Sequence, residues 1–176
     1  IYLTLPEGLT AIEDGAFESA YQLSFVEFPS TLRTIGNRAF YNYRGGKLML
    51  PEGLERIGDE AFYRCSVRGT LVLPEGLKEI GDSAFARSIF MHTLDLPSTL
   101  ETIGEHAFED VSLSYVYMDG LTPPKVAKTA FAECTSLADI ELNEYCTKQQ
   151  MLDLQAIIDE AGLNCRVWRY ENTQTS

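Results

Sequence analysis

Residues 3–17 read Leu3-Thr4-Leu5-Pro6-Glu7-Gly8-Leu9-Thr10-Ala11-Ile12-Glu13-Asp14-Gly15-Ala16-Phe17. The frame Leu-x-Leu-Pro-x-x-Leu-x-x-Ile-x-x-x-Ala-Phe returns along the chain. Its copies run Phe28-Pro29 to Ala39-Phe40, Leu50-Pro51 to Ala61-Phe62, Leu73-Pro74 to Ala84-Phe85, and Leu96-Pro97 to Ala107-Phe108. A degenerate sixth copy keeps Val116, Met118, Val126 and Ala130-Phe131 but loses the Pro, and Ile140-Glu141-Leu142 starts a seventh strand. The Phe residues at 17, 40, 62, 85, 108 and 131 are 23 apart except for one step of 22. A fixed period of this length is the mark of stacked structural units.

Each position of the frame has a physical reading. Leu-x-Leu alternates with period two and turns both Leu side chains to one face of a strand. The Pro ends that strand because it has no N–H for the ladder, and Glu-Gly or Ser-Thr after it makes a turn. Leu-x-x-Ile brings two more apolar side chains inward through a second short extended piece. Ala-Phe closes the coil in a helical or 3₁₀ turn. The residue three after Phe (Ala20, Tyr43, Cys65, Ser88, Val111, Cys134) is mostly small and is expected under the next turn. Gly follows Ile in four copies, at 36, 58, 81 and 104, while Glu13 and Ala127 stand there in the others. Left-handed backbone and close approach of neighbouring coils are equally good reasons for it. One unit cannot bury its own apolar face, so units stack, and each buried Leu, Ile or Phe adds about 1.5–3 kcal/mol.

The expected architecture is an α/β repeat: a right-handed solenoid with parallel sheets over 1–142, a helix-containing cap over 143–170 and a flexible tail over 171–176. Thr147-x-x-Gln150 reads as a capping box. Met151, Leu154, Ile158 and Ala161 then share one face of a helix over 148–161, stopped by Gly162. Asn164 to Tyr170 reads as a last strand with Cys165 and Val167 inward. The N-terminus has no matching cap, which is expected if other residues precede it.

The frame resembles the BspA-type leucine-rich repeat of bacterial surface proteins over roughly residues 3–142. Cys134 followed by Leu137 fits that pattern closely. The chain departs from leucine-rich repeats with an Asn ladder, since no column of Asn follows the strands. The resemblance implies a curved solenoid with a parallel sheet, placement on the bacterial cell surface or secretion, and adhesion to host or neighbouring-cell proteins.

Composition narrows the function. With 45% hydrophobic and 23% charged residues the chain is built to fold. Its net charge of -12, with Lys and Arg scattered, argues against nucleic acid and anionic lipid. No apolar run approaches the roughly 20 residues of a membrane span. The motifs of zinc proteases, serine hydrolases, phosphate-binding loops and dinucleotide folds are missing. His92 and His106 occupy variable repeat positions with no evident partner, and loop carboxylates such as Glu7, Glu52, Glu75, Asp59 and Asp82 read as a solvated edge. No enzyme activity, cofactor or metal is expected. Cys65 and Cys134 share a column three coils apart, about 14 Å, beyond disulfide reach. They are expected as free thiols, whereas Cys146 and Cys165 both lie in the cap and are left open between a disulfide and two thiols.

A protein or peptide ligand is the expected partner, and a structural spacer in a larger surface protein is the alternative. If Leu-x-Leu points inward, two columns point out: Thr4, Glu27, Met49, Val72, Asp95, Tyr117, Glu141, and Tyr2, Phe25, Lys47, Thr70, Thr93, Tyr115, Asp139. Phe25, Met49 and Val72 make one apolar group and Tyr115 with Tyr117 another. These five are the candidate ligand residues, because Tyr is common at interface hot spots. Strand propensity alone also accounts for Val, Phe and Tyr there.

Overall fold

The computed structural model describes residues 1–67, 69–90 and 92–170; the expected tail at 171–176 lies outside them. Among these residues the coils stack through two walls of parallel strands. The first wall carries the Leu-x-Leu segments. It begins with β1 (Tyr2–Thr4) beside β3 (Phe25–Glu27) and continues through a single bridge between Met49 and Val72. It ends with β7 (Thr93–Leu96), β9 (Tyr115–Met118), β11 (Asp139–Leu142) and β12 (Arg166–Arg169) in that order. The second wall is one six-stranded sheet of two-residue strands, each ending on the apolar residue of Leu-x-x-Ile. Its strands are β2 (Ala11–Ile12), β4 (Thr34–Ile35), β5 (Arg56–Ile57), β6 (Glu79–Ile80), β8 (Thr102–Ile103) and β10 (Lys125–Val126). In-register pairs such as Ile35↔Ile57 and Ile57↔Ile80 pile the Ile side chains into a column.

The Ala-Phe turns form the third wall. Phe40, Phe62, Phe85, Phe108 and Phe131 are at most 1% exposed. Their rings stack from coil to coil at 5.3–5.5 Å between centroids and within 9° of parallel. Hydrogen bonds spanning three residues close each turn, as in Ala39 N to Gly36 O and Tyr41 N to Arg38 O. They do not run on as a helix, because the residues two before and two after Phe are left-handed: Arg38 and Asn42, Glu60 and Arg64, Ser83 and Arg87, His106 and Asp110 all have φ between 51° and 63°. The alternation turns every second N–H group toward the next coil. Phe40 N donates to Ala61 O, Phe62 N to Ala84 O and Phe85 N to Ala107 O, each at 2.8 Å. Left-handed L-residues cost about 1–2 kcal/mol each, and the inter-coil bonds offset that cost.

Close approach explains the Gly after Ile. Gly36, Gly58, Gly81 and Gly104 do not have positive φ. A Cβ at Gly81 would meet Asp59 N at 2.7 Å and Gly58 C at 2.8 Å in the coil before, and Gly36, Gly58 and Gly104 are equally crowded. Glu13 holds the same position in the first coil.

The residue three after Phe tucks under the preceding turn rather than the next. Cys65 Sγ donates to Phe40 O at 3.2 Å, Ser88 Oγ to Phe62 O at 2.6 Å and Cys134 Sγ to Phe108 O at 3.0 Å. Ser88 Oγ also accepts from Cys65 N at 3.0 Å, which satisfies a hydroxyl that is only 3% exposed as a residue.

After β11 comes α1 (Lys148–Glu160). Thr147 caps it: its hydroxyl accepts from Gln150 N at 3.2 Å, and Gln150 Oε1 accepts from Thr147 N at 2.6 Å. Leu154 and Ile158 are buried against the last coil, and Gly162 follows with φ 72°. The chain then returns as β12, which places Val167 beside Ile140 and turns Cys165 and Val167 inward.

Candidate binding face

The first wall presents its alternate residues outward in the expected register. Tyr2 aligns with Phe25, Thr4 with Glu27, Met49 with Val72, Thr93 with Tyr115 and Asp139, and Asp95 with Tyr117 and Glu141. Met49 and Val72 are 55% and 61% exposed. For large apolar side chains in register on adjacent coils, that is a patch rather than a stray residue. Phe25 is half-buried because Tyr2 stacks on it, with centroids 4.9 Å apart. Tyr115 and Tyr117 are also half-buried and lie on β9, separated from Val72 by the polar pair Thr93 and Asp95 of β7. The five candidate residues thus fall into separate groups on one face.

The two Tyr hydroxyls are held from within. Tyr115 donates to Glu141, and Tyr117 donates to Asp119 at 3.1 Å. Burial, these hydrogen bonds and the surrounding carboxylates push both phenols above their ordinary pKa. The rings are therefore fixed in place, with their edges toward a cluster that includes Asp95, Asp119, Glu141 and Glu144.

Two outward residues escape a reading based on the repeat. The β12 register sets Trp168 beside Glu141 and Arg166 beside Asp139, extending both columns by one strand. Arg166 pairs with Asp139 at 2.7 Å and lies 5.7 Å from the Trp168 ring centroid. The only clue in the sequence is the alternation Cys165-x-Val167, which puts 166 and 168 on the opposite face.

Several loop carboxylates hold coils together and are not merely a solvated edge. Asp14, Asn37, Asp59 and Asp82 follow one another on successive coils. The side-chain oxygen of each accepts the backbone N–H of the residue in the next coil, at 2.6–2.9 Å. This is a side-chain ladder of mixed Asp and Asn, where no Asn column was expected. Glu7 accepts from both Ser30 N and Oγ at 3.0 Å, and Glu75 repeats the contact with Ser98. His106 has a carboxylate beside it after all, with Nδ1 2.8 Å from Glu109, while His92 Nδ1 is 2.9 Å from Ser112 O.

All four Cys are free and buried. Burial raises the Cys134 and Cys165 thiols to about 11, and Cys65 and Cys146 also shift upward. Such thiols are poor nucleophiles. No group of three or more His, Cys, Asp or Glu able to hold a metal occurs among the described residues, and no helix among them is long and apolar enough to cross a membrane.

Three walls of stacked short coils, built on Leu-x-Leu and Leu-x-x-Ile, define a leucine-rich-repeat solenoid. The family described as BspA type leucine rich repeat region matches in six copies, over residues 1–114 and 55–152, and the chain belongs to it. No curated protein matches. Among solved structures, a leucine-rich repeat protein from Bacteroides ovatus ATCC 8483 aligns with 98% of this chain at 16% identity and a TM-score of 0.44. A leucine rich cell surface protein from Faecalibacterium prausnitzii A2-165 aligns with 98% at 19% identity and a TM-score of 0.39. The chain spans 57% of the first and 61% of the second.

Proposed function

We propose that this chain is a non-enzymatic binding module of a secreted or surface-attached bacterial protein, and that a protein or peptide ligand lies across the outward face of the Leu-x-Leu wall. The observation that carries this reading is the in-register exposure of Met49 and Val72. Neither side chain contributes to the core, and a solvated sheet has no need of two large apolar groups there. Phe25, stacked on Tyr2, adds an aromatic group to the same face, and Tyr115 with Tyr117 supplies a further anchor whose hydroxyls are already held by Glu141 and Asp119, so little side-chain entropy is lost on binding. Family membership supports the surface placement.

Immobilised protein should be screened against purified host extracellular-matrix proteins and surface proteins of neighbouring bacteria. For a partner so found, Tyr115→Ala with Tyr117→Ala should weaken binding at least tenfold, about 1.4 kcal/mol, with the fold intact by circular dichroism. Unchanged affinity in that folded variant removes the Tyr pair from the site. If Met49→Ser with Val72→Ser is equally silent, the face is a spacer surface.

A further inference from the structure

A second surface has the opposite charge. Where the Ala-Phe turns lead back toward the Leu-x-Leu wall, coils two to four form an open groove of about 620 Å³ whose lining includes Asn42, Arg44, Arg64, Ser66, Arg87 and Ile89. The chain carries 26 Asp and Glu against 14 Lys and Arg, yet among the described residues three guanidiniums line this groove and no carboxylate does. Arg87 is already engaged, 3.3 Å from Glu109. Arg44 and Arg64 are not ion-paired among the described residues. Each lies only near a tyrosine ring, Arg44 at 6.0 Å from the centroid of Tyr21 and Arg64 at 5.6 Å from that of Tyr63.

The fold does not require this charge. The position two after Phe is left-handed in every coil, and Ser19, Asn42, Arg64, Arg87, Asp110 and Glu133 occupy it with φ between 53° and 63°. The backbone bonds there are the same whatever the side chain: Asn42 N to Tyr63 O, Arg64 N to Ala86 O and Asp110 N to Ala132 O. A left-handed site favours Asn and Asp, so Arg at two consecutive coils is a choice made for the side chain. Ile89, 70% exposed, adds one apolar side chain to the lining.

We propose that this groove binds an extended acidic segment of another polypeptide, with carboxylates on Arg44 and Arg64 and an aliphatic side chain on Ile89. The planar guanidinium fork takes a carboxylate through two parallel hydrogen bonds. In an extended chain, side chains on one face repeat about every 6.6 Å, and coils repeat about every 4.8 Å. The length of Arg absorbs that mismatch. Asn42 and Ser66 offer hydrogen bonds to the ligand's amides. A long phosphate chain suits the groove less well, because it would leave the groove for a surface of net charge -12.

The test is fluorescence anisotropy with a fluorescein-labelled octapeptide of alternating Glu and Val, at low and physiological salt. Arg44→Glu with Arg64→Glu should weaken binding at least tenfold. A peptide with Gln in place of Glu should bind the unaltered protein as weakly. Lys125→Glu with Lys148→Glu changes the net charge equally and should leave binding within twofold. Glu133 already occupies the Arg64 position of its own coil with φ 59°, so an acid fits that backbone, and circular dichroism confirms folding. Arg44→Gln with Arg64→Gln, a milder pair, should give an intermediate loss. The proposal is overturned if the Glu peptide does not bind, or if the Arg pair is silent. It is equally overturned if the Lys pair costs as much as the Arg pair, or if a sulfated oligosaccharide competes at least tenfold better than the peptide.

Discussion

The turn wall and the Leu-x-Leu wall belong to the same coils but are built differently. The turn wall repeats one chemistry from coil to coil: Phe on Phe, Ala behind it, and a left-handed residue on each side. The Leu-x-Leu wall keeps its inward side chains but narrows to one bridge between Met49 and Val72 at its centre, and outward it carries Tyr, Phe, Lys, Met, Val, Thr, Asp and Glu. The difference teaches that coil-to-coil stability is concentrated where the side chains are uniform, leaving the varied face free to take on binding chemistry. Repeat proteins hold together through nearest-neighbour interfaces, and the turn wall supplies one in which every ring from Phe40 to Phe131 is buried.

The comparison breaks most visibly at the Phe column. Phe62 is fully buried between Phe40 and Phe85. Phe62→Ala should cost about 3–5 kcal/mol in urea unfolding, with amide exchange accelerating first in the coils on either side. A surface-like cost below about 0.5 kcal/mol would contradict the turn wall's role. A smaller effect is expected at the glycines. Gly81→Ala forces a methyl against the backbone of Asp59 and Gly58 and should cost about 1–3 kcal/mol by overpacking. Gly8→Ala has open space around the new methyl but a φ of 94°, so it separates backbone strain from crowding.

The last effect is chemical and confined to alkaline pH. The folded state raises the thiols of Cys134 and Cys165 from 9.0 to about 11. The protonated thiol is favoured in the fold, so its contribution is complete below pH 9 and is lost as pH rises toward 11. Unfolding free energy should therefore fall across that alkaline window, and Cys134→Ser with Cys165→Ser should flatten the fall. An identical slope in the variant would assign the loss to other groups.

The coils, the inward columns and the helix after them were legible in the sequence for physical reasons. The Phe spacing sets the coil length, period-two Leu-x-Leu sets the strand face, and Thr147 with Gln150 announces the helix. The left-handed turn residues were not legible. Arg38, Glu60, Ser83 and His106 carry no conformational signal, since the inter-coil hydrogen bonds impose their φ. The Asp14-Asn37-Asp59-Asp82 ladder was hidden because Asp and Asn serve equally as acceptors, so no single residue type marks the column. Glu7 and Ser30 pair only because Pro-Glu-Gly in one coil meets Pro-Ser-Thr in the next, a relation between unlike copies. On the outward face of the Leu-x-Leu wall, Met49, Val72, Tyr115 and Tyr117 could be placed from alternation alone. Trp168 and Arg166 needed the β12 register, which is fixed only after the cap helix has returned the chain.

A double-mutant cycle run on both walls tests the central claim most directly. Phe62→Leu with Phe85→Leu probes adjacent coils of the turn wall, and Met49→Ser with Val72→Ser probes adjacent coils of the face. The turn pair should show a coupling energy above about 0.5 kcal/mol in urea unfolding, while the face pair should add within about 0.5 kcal/mol and leave stability nearly unchanged. Additive turn mutations beside strongly coupled face mutations would mean that the face, not the turn wall, holds the coils together.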